Sequence, residues 1–60
     1  MTAREIDKIL RNDGWNVVKQ VGSHRQYKHP TKPGKVTVPI HNGDLNPKTA
    51  NSILKQAGLL

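Results

Sequence analysis

A chain of sixty residues without a cysteine has to hold its fold on one small hydrophobic core. Neither a disulfide framework nor a thiolate zinc site is open to it. A domain of this size buries only about 60% of the surface its unfolded chain exposes, so its stability margin is narrow. The length accommodates one domain, expected to span residues 1–60. No apolar run approaches the roughly 18 residues of a membrane span. The N-terminus, Met1-Thr2-Ala3-Arg4-Glu5, enters an amphipathic pattern at once and has no signal-peptide core. A cysteine-free chain of this kind is expected in the cytoplasm.

Thr2 followed three residues later by Glu5 is a capping box that starts a helix. Ile6, Ile9 and Leu10 form its apolar stripe with Ala3 at the edge, and Gly14 can end it in a left-handed cap. Trp15 to Val21 reads as a first strand, on the β-branched residues Val17, Val18 and Val21. Gly22-Ser23 is a turn, and His24 to His29 is a second strand. A turn-rich loop from Pro30 to Gly34 leads to a third strand in which Val36, Val38 and Ile40 alternate with polar residues and Pro39. Pro39 marks that strand as lying at an edge or ending there. After a loop from His41 to Leu45, Asn46 caps a last helix with Pro47 at its first position and Ala50, Ile53, Leu54 and Ala57 on one face. The expected fold is α+β, in the order α-β-β-β-α. Both helices cover one face of a three-stranded antiparallel sheet.

The charge balance points to a polyanion. The chain carries ten Lys and Arg against four Asp and Glu, a net +6. No acidic residue occurs between Gly14 and Gly43, where Lys19, Arg25, Lys28, Lys32 and Lys35 all fall. A one-signed field of this kind attracts nucleic acid and weakens with salt.

Within that stretch, Gly22-Ser23-His24-Arg25-Gln26-Tyr27-Lys28-His29-Pro30 delivers a histidine from a tight turn into a cationic strand. If Tyr27 points into the core, strand alternation turns His24, Gln26 and Lys28 outward. An imidazole exchanges protons near neutral pH, and neighbouring cations hold phosphate. Together they provide what metal-free RNA cleavage needs. His24 is the catalytic candidate; Arg25, Lys28, Lys32 and Lys35 are the candidate RNA-binding residues. His29 and His41 are weaker candidates. The spacing of His24 and His29 puts them on opposite faces of a strand, which disfavours a shared metal, so no metal or other cofactor is expected. Ser23 lacks a Ser-His-Asp arrangement and reads as a turn residue. Paired carboxylates for glycoside hydrolysis or two-metal nuclease chemistry are missing, as is a phosphate-cradling loop of the NTPase kind. Trp15 and Tyr27 read as core residues rather than a base-stacking platform.

Three stretches carry a family resemblance. They are Gly14-Trp15 with Gly22 to Pro30, then Val36-Thr37-Val38-Pro39-Ile40-His41, then Ile53-Leu54-Lys55-Gln56-Ala57-Gly58-Leu59. Together they resemble HicA-type toxins, also called the YcfA-like family, of HicA/HicB toxin–antitoxin systems. The resemblance implies a fold like a double-stranded-RNA-binding domain. It implies an mRNA interferase that cleaves RNA without the ribosome, and a HicB antitoxin that binds and blocks it. It implies that the family's catalytic histidine falls on His24. The toxin is expected to be a monomer when free and part of a hetero-oligomer with its antitoxin.

In the expected reaction His24 takes the proton of a ribose 2′-hydroxyl or delivers one to the leaving 5′ oxygen. The same sequence features also allow a non-catalytic module that reads double-stranded RNA by shape, or a basic interaction protein that docks an acidic partner.

Overall fold

The computed structural model describes residues 1–60. Thr2 opens helix α1 (Ala3–Asn12) with both halves of a capping box. Its hydroxyl accepts from the Glu5 N–H at 3.1 Å, and the Glu5 carboxylate accepts from the Thr2 N–H at 2.8 Å. The helix closes in a Schellman motif: Trp15 N–H donates to the Leu10 carbonyl and Gly14 N–H to that of Arg11. The second helix, α2 (Pro47–Gln56), is also capped at both ends, with Pro47 in its first turn and no capping box. The Asn46 side chain accepts from Lys48 N–H, and Leu59 and Gly58 N–H return to the Leu54 and Lys55 carbonyls.

Between the helices, β1 (Asn16–Val21), β2 (His24–Lys28) and β3 (Val36–Pro39) pair antiparallel in the order β1-β2-β3. The α-β-β-β-α order read from the sequence is therefore the fold. Three strand ends are shorter than expected, one of them that of β3, which stops at Pro39 and leaves Ile40 outside although its N–H still donates to the Ser23 carbonyl. Trp15 precedes β1 and is buried, because it continues the helix cap rather than the ladder. His29 follows β2, drawn out of the strand by the contacts described below. Pro39 ends an edge strand, where its missing N–H leaves no inner ladder bond unmade.

The inner face of the sheet presents Tyr27, Val36 and Val38, all fully buried. Ile6 and Leu10 of α1 and Ile53 of α2 meet them, so both helices lie on the same face. Each side chain of this size contributes about 1.5–3 kcal/mol on burial. Eleven buried residues make up this core. Ile9 is half-buried, at the margin of the stripe, whereas Ala3 is buried. Leu45, read as part of a loop, joins the core: its N–H donates to the Met1 carbonyl at 2.7 Å, and Thr2 bridges to Asp44 beside it.

One irregularity shapes the solvent face. The register of β1 against β2 shifts between Val17 and Lys19. Val17 packs on the core, and strict alternation would send Lys19 and Val21 inward after it. The extra residue at the shift reverses that, and Lys19 and Val21 are exposed.

Candidate functional site

The Gly22-Ser23 turn starts β2 at His24. From there the strand alternates as expected: Tyr27 is buried inside, while His24 and Lys28 are exposed outside. Cross-strand partners order the outer face. Val21, His24 and Pro39 form one row, and Lys19, Gln26 and Thr37 the next. Lys28 pairs with Asn16. Lys35 reaches into the same face, its Nζ donating to Gln26 Oε1 at 3.3 Å. His24 thus shares its surface with Lys19, Lys28 and Lys35. Two of the three imidazoles, those of His29 and His41, are hydrogen-bonded within the protein, and the His24 ring is free.

The structure divides the candidate RNA-binding set. Lys28 and Lys35 stand with His24. Arg25 points to the inner side, where its Nε donates to Gln20 Oε1 at 2.9 Å and its Nη1 lies 3.5 Å from Asp7 on α1. Lys32 is at the far end, its ammonium donating to Asp13 at 2.5 Å and to the Ala57 carbonyl at 2.9 Å. It ties the β2–β3 loop to the ends of both helices. Lys19, missed in the sequence, joins the outer face. The bulge that turns it outward leaves no mark in the residue pattern.

His29 holds the same corner. Its Nδ1 accepts from the backbone N–H groups of Thr31 and Lys32, both at 3.0 Å. That requires the other nitrogen to carry the proton, and Nε2 donates to the Asp13 carbonyl at 2.6 Å. The ring also stands edge-on to Trp15, with centroids 5.2 Å apart. His29 is a structural pin, distant in role from proton transfer. The three histidines do not gather with carboxylates into a group that could hold a metal ion.

The acids that pair with the bases of β2 and of the β2–β3 loop are Asp7 of α1 and Asp13, its cap residue. Partial burial pushes the Asp7 carboxyl up, but hydrogen bonds from Tyr27 and Arg11 and the charges of Arg11 and Arg25 outweigh it and hold it below its ordinary value. Burial, reinforced by the Asp7 carboxylate, pushes the Tyr27 hydroxyl up to about 12. The hydrogen bond from Lys32 lowers Asp13, against a smaller opposing effect of desolvation.

A small α+β domain with a free histidine on a lysine-bearing sheet face fits a protein that acts on a polyanion. The comparison with protein families is more specific. The model described as "HicA toxin of bacterial toxin-antitoxin" matches residues 3–59, and the chain belongs to this family. It is the toxin of a toxin–antitoxin pair, and an antitoxin is its implied partner. No curated protein matches the chain. No helix is long and apolar enough to cross a membrane.

Proposed function

We propose that this toxin is an mRNA endoribonuclease that needs neither the ribosome nor a metal ion, acts in the cytoplasm, and is neutralised by a HicB-type antitoxin. The observation that carries the reading is the His24 imidazole, exposed and unbonded among Lys19, Lys28 and Lys35. Lys28, Lys35 and Lys19 hold the phosphates of the strand. Lys32, already occupied by Asp13 and Ala57, adds to the positive field.

In the reaction, His24 takes the proton from a ribose 2′-hydroxyl as that oxygen attacks the adjoining phosphorus. The bond from phosphorus to the 2′ oxygen forms and the bond to the 5′ oxygen breaks. The products are a 2′,3′-cyclic phosphate and a 5′-hydroxyl. A lysine ammonium stabilises the charge on the five-coordinate phosphate. The neutral imidazole accepts one proton, so the proton for the 5′ oxygen comes from a second donor; Lys28, on the same face, and water are available.

The test is the chemistry of the ends. Purified protein in EDTA should cut RNA to cyclic-phosphate termini and leave DNA of the same sequence intact, because DNA lacks the nucleophile. Cleavage of DNA, or activity abolished by EDTA, contradicts the scheme.

A further inference from the structure

Behind the sheet, at the end where His24 stands, α1 and the segment following β3 enclose an open cleft of about 580 Å³. Arg4, Asp7, Arg25, His41 and Asn42 line it, with Ile40 as an apolar wall. Its volume falls within the range of small-ligand sites, about 300–1,000 Å³. Arg4 is exposed and takes part in none of the molecule's four salt bridges. Arg25 is anchored through Nε to Gln20 and through Nη1 to Asp7, which leaves Nη2 to face a ligand. The His41 Nδ1 donates to the Asn42 carbonyl at 3.0 Å, so Nε2 is the free nitrogen, a donor to phosphate when the ring is protonated. Asp7 would repel an anion, but its carboxylate is already matched by the Tyr27 hydroxyl and by Arg11 and Arg25. The balance in the cleft is cationic, in the fork geometry that guanidinium groups offer to phosphate.

The cleft and His24 are joined through the backbone. Neighbours on a strand point to opposite faces, so Arg25 opens the inner side where His24 opens the outer. The Ile40 N–H donates to the Ser23 carbonyl at 2.6 Å, bringing the segment that carries His41 against the turn before His24. A strand lying over His24 reaches the cleft by bending round this end of the sheet.

We infer that the cleft is a phosphate subsite for a single-stranded RNA, taking a phosphodiester away from the one attacked at His24. The inference rests on the reading of His24 as the nuclease site and names its substrate class. Single strands bend sharply about their backbone, whereas a duplex is stiff over this length, so a strand that engages both faces is unpaired there.

The test uses a 2′-O-methyl RNA oligonucleotide, which cannot be cut, and binding measured across a salt series. Arg4→Ala and His41→Ala should each weaken the single strand about 3–10-fold, and Arg4→Ala should reduce the salt slope by about 0.7, the share of one neutralised phosphate on a single strand. Lys55→Ala, on the exposed side of α2, controls for net charge and should have a smaller effect. Wild-type affinity and slope in both cleft variants would overturn the subsite, as would equal weakening of single strand and duplex. Cleavage of unmodified RNA by the wild type separates the two claims. If RNA is cut and the cleft variants bind normally, the subsite alone falls. If the variants bind weakly but the wild type cuts nothing, the nuclease reading falls and the subsite stands.

Discussion

The Tyr27 hydroxyl, on the middle strand of the sheet, donates to the Asp7 carboxylate on α1. It brings an acid from the helix under a sheet that has none of its own, and Asp7 in turn holds Arg11 and Arg25. Tyr27→Phe keeps the ring in the core but removes the donor. A hydrogen bond to a charged group is worth about 1.5–3 kcal/mol, so the variant should unfold at a clearly lower temperature. Equal melting temperatures for variant and wild type would show that the bond adds nothing.

The same pair sets the pH limits of stability. Asp7 and Asp13 lie below their ordinary values in the folded protein, so their contribution is present above the unfolded carboxylate pKa and is lost as pH falls through the folded ones. Tyr27 is raised to about 12, so its contribution is present below the ordinary value of 10.0 and is lost as pH rises through about 12. Denaturant unfolding followed against pH should show both losses. Asp7→Asn should flatten the acid limb; an unchanged limb would remove Asp7 as its source.

Gly14 and Gly22 test the geometry of the two turns. Both have positive φ, at +103° and +57°. A Cβ on Gly22 meets nothing, whereas one on Gly14 would lie 2.7 Å from the His29 Nε2. Gly22→Ala should cost about 1–2 kcal/mol, the left-handed penalty alone. Gly14→Ala adds displacement of the His29 pin and should cost more, with the larger fall in melting temperature. The reverse order would contradict the placement of His29.

Lys19 and Lys32 should separate binding from stability. Lys19→Ala should weaken RNA binding and lower its salt dependence, with the melting temperature nearly unchanged. Lys32→Ala removes the ammonium that joins Asp13 to Ala57 and should lower the melting temperature more than it lowers affinity. RNA filter binding and thermal melts on the two variants decide between these roles.

These contrasts also mark what the residues reveal by themselves. Caps at Thr2, Gly14 and Asn46 are local chemistry, and both ends of α1 and the start of α2 fall where the sequence predicts within a residue. Period-two alternation places Tyr27 inward and His24 outward, because a buried tyrosine sets the parity of its whole strand. The role of Lys19 depends on a bulge, and a one-residue shift in register has no compositional sign. Lys32 and His29 look like part of the basic field because the partners of Lys32, Asp13 and the Ala57 carbonyl, lie 19 and 25 residues from it. The cleft is tertiary in the same sense: Arg4, Arg25 and His41 come from three separate segments.

The central claim is that the free His24 imidazole performs proton transfer on a bound ribose. His24→Ala changes an exposed side chain with no internal hydrogen bond, so the fold and RNA affinity should persist. The direct measurement is the rate of RNA cleavage by this variant beside the wild type, with binding of an uncleavable RNA measured on the same samples. The account predicts a loss in rate of about a hundredfold or more at nearly unchanged affinity. Cleavage at the wild-type rate would contradict it.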